Sequence, residues 1–135
     1  MILLDTNVVI AMLRDRPKAV RERFRAAISA GEQVGLSSIV VYELWHGATR
    51  SARRVENIER VRGVLSGDID VIPFDDEDAV RAGELRAALE ALGTPIGPYD
   101  VLIAAQALRL DATLITANTG EFARVEGLRL EDWSA

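Results

Sequence analysis

The 135-residue chain contains no cysteine, a single histidine (His46) and a single lysine (Lys18), and only 5% of its residues are aromatic. Without cysteine there is neither a disulfide framework nor a thiolate zinc site, and one imidazole cannot assemble a zinc cluster. A bound metal must therefore be hard and oxygen-ligated: Mg²⁺, Mn²⁺ or Ca²⁺. Long apolar stretches are missing too. The longest run, Val8 to Leu13, is far too short to cross a bilayer, and no basic-then-apolar leader precedes it. The expectation is a soluble, cytoplasmic protein without a membrane partner. What is present, 49% hydrophobic and 27% charged residues, suits one domain over residues 1–135, which at this length buries roughly 68–70% of its extended-chain surface.

A formal charge of −5 argues against a polyanionic partner, but the average conceals an asymmetry. Residues 1–62 hold 11 Lys and Arg against 7 Asp and Glu, whereas residues 63–135 hold 5 against 14. Two basic groups, Arg14 to Arg25 and Arg50 to Arg62, lie in the first half. Each reads equally as a phosphate track or as a solvated helix face laced with Glu22, Glu56 and Glu59.

A strand-then-helix rhythm runs through the chain. Ile2-Leu3-Leu4 reads as a buried strand ending at the helix-capping types Asp5-Thr6-Asn7. Helices are expected over Val8 to Leu13 and, after Pro17, through Val20, Phe24, Ala27 and Ile28 to a stop at Gly31. Gln33 to Leu36 is the second strand, followed by a Ser37-Ser38 cap and a helix from Ile39 to Ala48. A polar helix from Arg53 to Leu65, a strand from Ile69 to Ile72, and a long helix opened by the acids Asp75 to Asp78 come next. Those four acids serve capping and the helix dipole. Pro98 opens another helix, Thr113 to Thr116 forms the fourth strand, and Gly127 to Trp133 supplies a short edge strand. The pattern describes a three-layer α/β/α domain with a central, mainly parallel sheet of four to five strands. Ligands of such folds sit outside the carboxyl ends of the strands.

Three acids fall at that edge. Asp100 lies in the first turn of the Pro98 helix and shares a stripe with Ile103, Ala104, Ala107 and Leu108. Glu43 interrupts a helix of Ile, Val, Tyr, Leu and Trp, and Asp5 follows the first strand. Singly, Asp100 is explained by the helix dipole and Glu43 by a surface position. Together they are not. Carboxylates about 4 Å apart repel by roughly 4 kcal/mol at an effective dielectric near 20, so a cluster of three calls for a cation.

The segments LLDTN (3–7), SSIVVYELWHGA (37–48), TPIGPYDVLIAAQAL (94–108) and TLITANTGEFARVEGLRLEDW (113–133) resemble the PIN-domain ribonucleases, specifically the VapC-type toxins of bacterial toxin–antitoxin pairs. The resemblance covers essentially the whole chain. It implies an Mg²⁺-dependent endoribonuclease, with Mn²⁺ as a substitute, whose acidic centre is Asp5, Glu43 and Asp100. The family's fourth acidic position falls on Asn118; Glu121, three residues on, is a candidate replacement, and Thr6 and Thr116 are hydroxyl neighbours. The resemblance further implies a transfer or ribosomal RNA substrate, a VapB-type antitoxin reaching toward the acids, and a homodimer. Tyr42, Trp45 and the Arg53 to Leu65 helix are the places to seek contact surface for these partners.

The chemistry agrees. Attack by the substrate's own 2′-hydroxyl needs an acid–base pair, commonly two histidines, whereas this chain has only His46, read as an interface or surface residue. A metal-activated water remains, predicting 5′-phosphate and 3′-hydroxyl products. Among the rivals, a haloacid-dehalogenase-like phosphatase wants a second Asp where Asn7 stands. That enzyme, like a phospho-receiver domain, also wants a later lysine than Lys18. A non-catalytic alternative is a weak or inactive PIN-like module whose acids dock an arginine of a partner protein.

Overall fold

Ile2, Leu3 and Leu4 form the central strand because a parallel sheet covered on both faces asks for unbroken apolar runs, and Leu3 and Leu4 are fully buried. The computed structural model describes residues 1–134. In chain order the elements are β1 (Ile2–Leu4), α1 (Thr6–Arg14), α2 (Lys18–Ser29), β2 (Val34–Ser37), α3 (Ser38–Arg50), α4 (Arg54–Leu65), β3 (Asp70–Ile72), α5 (Asp76–Ala91), α6 (Pro98–Arg109), β4 (Thr113–Ile115), α7 (Thr119–Phe122) and β5 (Arg129–Glu131). The strands lie in the order β3-β2-β1-β4-β5, and every pairing is parallel.

Right-handed crossovers in that order place α1 to α4 on one face and α5 to α7 on the other. The packing agrees, with α1 against α2 and α3, α3 against α4, and α5 against α6. The chain leaves β1 toward β2 on one side and returns to β4 on the other. The topological switch point therefore lies beyond the carboxyl ends of β1 and β4.

Most expected elements stand within a residue or two. β2 is displaced one residue, to end at Ser37, whose hydroxyl accepts from the Ile39 N–H as the cap of α3. Gly31 and Gly93 take left-handed φ of 79° and 72° just beyond α2 and α5, where only glycine does so without strain. The short α7 was not foreseen, since four residues carry no periodicity. It buries Phe122 completely.

The acids opening α5 cap it as expected, and one of them does more. Asp75 and Asp78 form a reciprocal capping box, as capping predicts. Asp78 is also fully buried and paired with Arg109 at the far end of α6, which ties α5 to α6. Gln106, equally buried, donates to the Ile72 and Pro73 carbonyls and fixes the exit of β3 to the same helix. At the C-terminus buried Trp133 donates to Glu131, which also holds Arg23 of α2.

Candidate active site

Asp5 is the first residue after β1 and caps α1, its Oδ1 accepting the Thr6 N–H at 2.8 Å. Its Oδ2 accepts the Thr116 hydroxyl, also at 2.8 Å, from the end of β4. Both oxygens are thus fixed by the two strands that flank the switch point. The Thr6 hydroxyl donates to Glu43 Oε1 at 2.7 Å, so one threonine aligns the carboxylates of β1 and α3. Thr116 in turn accepts the Asn118 N–H at 3.0 Å, shaping the loop that follows β4.

Glu121 enters from α7. Its Oε1 accepts the Gly97 N–H at 2.5 Å, and its Oε2 accepts the Asn118 side-chain amide at 2.9 Å. Gly97 is the residue from which α6 departs, and a Cβ there would lie 3.1 Å from Asp100 Oδ2 and 3.5 Å from Glu121 Oε1. The bare backbone lets Asp100 and Glu121 face the same point. Glu121 thus stands beside Asp100 at this edge, next to Asn118. The Asn118 amide donates to that glutamate and orients it.

The electrostatics set these groups apart. Burial raises the Asp5 pKa, a rise only partly offset by the Thr116 and Thr6 hydrogen bonds. Asp100 is pushed up to about 6, first by burial and then by the charges of Asp5, Glu121 and Glu43. The hydrogen bonds from Asn118 and Gly97 hold Glu121 below the usual range. Among the described residues no Lys or Arg side chain forms an ion pair with Asp5, Glu43, Asp100 or Glu121. Arg124 is felt at Glu121 without pairing with it, and the other acids at the sheet edge have no basic partner.

All predicted site residues reach this edge. Asp5 and Thr116 are buried, Asp100, Glu43, Thr6 and Glu121 are half-buried, and Asn118 is exposed. Among the described residues no three acidic or imidazole side chains are grouped closely enough to hold a metal ion between them. The carboxylates share the edge in pairs, Thr6 linking Asp5 to Glu43 and Gly97 lying between Asp100 and Glu121. An all-oxygen, uncompensated donor set of this kind fits a hard divalent ion held by one or two carboxylates with water, the usual manner of Mg²⁺.

Two further features adjoin the acids. A groove of about 230 Å³ between α1, α3 and α4 is lined by Ile10, Leu13, Leu44 and Val61, and Glu43 contributes to its wall. Tyr42 is exposed as expected. Trp45 is half-buried, with the Arg62 guanidinium 5.3 Å above its ring.

Residues 2–128 match the PIN domain family model. The chain is 40% identical over 132 residues to the tRNA(fMet)-specific endonuclease VapC of Shigella flexneri, covering 98% of this chain and 97% of that protein. Ribonuclease VapC2 of Rickettsia felis is 34% identical over 131 residues, covering 97% and 96%. Among solved structures, DNA-bound VapBC from Salmonella typhimurium contains a chain 38% identical, with a TM-score of 0.89 over 98% of this chain and 97% of that one. The VapBC2 complex of Rickettsia felis on a promoter DNA fragment gives 0.90 at 33% identity, over 98% and 99%. With the acids gathered at the switch point of a five-stranded parallel sheet, these likenesses settle the assignment: the chain belongs to the PIN-domain family, among its VapC-type endoribonucleases.

Proposed function

We propose that Asp5, Glu43, Asp100 and Glu121 form the catalytic centre with which this chain hydrolyses phosphodiester bonds in structured RNA, a transfer or ribosomal RNA. Mg²⁺ is the working cation and Mn²⁺ its substitute. Four carboxylates at the strand-end crevice, without a cation of the chain's own, carry this reading. When bound, the ion neutralises that charge, acidifies water at the site and offsets charge on the leaving oxygen.

The protein's own part is positioning. Asp5 and Asp100, brought from β1 and α6, are the principal ligands, and Glu43 and Glu121 flank them. Thr6 and Thr116 hold Asp5 and Glu43 in place before substrate arrives, so little reorganisation is left for the reaction itself. Gly97 and Asn118 do the same for Glu121. Water adds across the P–O3′ bond, giving 5′-phosphate and 3′-hydroxyl ends.

The partners follow from the relatives, whose solved structures are VapBC complexes. A VapB-type antitoxin segment fits the groove between α1, α3 and α4, whose apolar floor is edged by Arg14, Asn57 and Arg60 and which leads to Glu43. A second copy of the chain has Val80 of α5 and Leu92 just past its end available, 62% and 75% exposed. Residues 1–135 act as a single domain, which a single cooperative melting transition checks. No helix among the described residues is long and apolar enough to cross a membrane, in keeping with action in the cytoplasm, where the RNA lies.

The test is cleavage of a transfer-RNA pool by the purified chain with Mg²⁺, Mn²⁺ or EDTA, with product ends mapped. Metal-dependent cutting that leaves 5′-phosphates supports the reading. Cyclic phosphate ends, or cutting in EDTA, contradict it.

A further inference from the structure

Seven aromatic side chains occur in the sequence, and five of them, Phe24, Trp45, Phe74, Phe122 and Trp133, are buried or half-buried. The other two, Tyr42 and Tyr99, are 50% and 43% exposed, and they touch each other. They come from different layers, Tyr42 from α3 and Tyr99 from the first turn of α6. Their ring centroids lie 5.5 Å apart with planes tilted by 48°, and their hydroxyl oxygens are 3.2 Å apart. One turn further along α3 the exposed His46 ring lies nearly parallel to Tyr42, 8° between planes and 6.3 Å between centroids. One more turn brings the exposed Arg50, the start of the second basic group.

This run begins at the acids. Tyr42 directly precedes Glu43 and Tyr99 directly precedes Asp100. An exposed aromatic pair beside a carboxylate cluster neither fills the core nor supplies a cation. Flat, uncharged faces can hold a polyanion where the acids repel its phosphates, because every nucleobase presents a π-face that an aromatic ring can stack on.

We propose that Tyr42 and Tyr99, extended by His46, form a stacking platform for unpaired bases next to the scissile phosphate, and that Arg50 takes a phosphate further along the strand. The proposal rests on the ribonuclease reading and adds to it the side chains that hold the bases flanking the cut. It makes the tyrosines positioning residues, which hold substrate without entering the chemistry.

Two readouts test it. Fluorescence anisotropy with a fluorescein-labelled single-stranded RNA decamer of mixed sequence, in EDTA where no cleavage occurs, is compared with an abasic decamer carrying the same phosphates. The wild type is expected to bind the decamer with bases more tightly, on the order of 5- to 150-fold per stacked base. Tyr42→Ala and Tyr99→Ala lose that preference, while Tyr42→Phe and Tyr99→Phe, which keep the ring, retain it. On the transfer-RNA pool with Mg²⁺ the alanine variants raise KM by a similar factor at nearly constant kcat. Equal binding of the two decamers by the wild type, or an unchanged preference in the alanine variants, overturns the platform. So does a fall from dimer to monomer mass on Tyr42→Ala with kcat lost, which would make this edge a contact between copies. Failure of the wild type to cut any RNA would count against the nuclease reading alone, since the anisotropy result stands without cleavage.

Discussion

Asp78 and Asp100 occupy the same position in neighbouring helices, the third residue of α5 and of α6, yet they titrate in opposite directions. Asp78 is the more buried, and its carboxyl is nonetheless held below the usual range. Burial opposes that shift, but the Arg109 guanidinium and the Asp75 capping bonds outweigh it. Asp100 is only half-buried and is pushed up to about 6, because burial is joined by three like charges and no cation. Partners, more than depth, decide what a buried acid is for. A carboxylate answered by arginine locks two helices together, and one surrounded by other carboxylates waits for a ligand from outside.

Substitution separates the two roles most sharply. Asp100→Asn is expected to lower kcat on transfer RNA by about 10²–10³ or more, the scale set by removing a preorganised charged group from a reaction centre, while the metal-free protein melts no lower than wild type. Arg109→Ala should do the reverse. It leaves the Asp78 carboxylate buried without its partner and costs about 3–5 kcal/mol, or roughly 10 °C or more in Tm, while the folded fraction keeps its kcat. Urea unfolding beside steady-state cleavage measures both. If Asp100→Asn unfolded the chain, or Arg109→Ala abolished kcat in folded protein, the distinction would collapse.

Acidity tests the same pair. Asp100 in the metal-free fold holds its proton up to about pH 6, whereas an unfolded aspartate releases it near 3.8. Its contribution to stability is therefore fullest below about pH 4 and is lost as pH rises to about 6. Asp78 has the opposite sign: its contribution is present above about pH 4 and is lost as pH falls through its depressed pKa. Melting curves in EDTA across pH 3 to 8 should show Asp100→Asn flattening the alkaline side of the Tm profile and Asp78→Asn the acid side. The smallest effect is expected at Gly97, where an alanine methyl would press to 3.1 Å from Asp100 Oδ2. Gly97→Ala should shift that carboxylate by a few tenths of an ångström and reduce kcat several-fold with little change in Tm, read by cleavage and melting together.

Sequence reasoning reached the site's frame because that frame is local. Asp5 after an apolar strand, Ser37 before α3 and Pro98 at the head of α6 are capping and periodicity signals contained within a few residues. Parallel β/α order then implies which strand ends share an edge. What it missed depends on contacts across the chain. The Asp78–Arg109 pair joins residues 31 apart, and nothing in an acidic helix start announces a buried guanidinium. Glu121 was legible only as a candidate replacement for Asn118, because α7 is too short to show a period and its place depends on the Gly97 N–H 24 residues earlier. Thr6 and Thr116 were named as neighbours of the acids, but that Thr6 bridges Asp5 to Glu43 and Thr116 ties Asp5 to the loop after β4 appears only in three dimensions.

The central claim is that the acids at the β1–β4 switch point lack a cation and are built to receive one. The most direct measurement is the melting midpoint of wild type, Asp5→Asn and Asp100→Asn titrated with Mn²⁺ at pH 7.5. The account predicts a wild-type midpoint that climbs with metal concentration by mass action, about 2.7 kcal/mol of added stability at a hundredfold excess over Kd, and variants that barely respond. A wild-type midpoint unmoved at saturating Mn²⁺, or an equal rise in all three proteins, would contradict it.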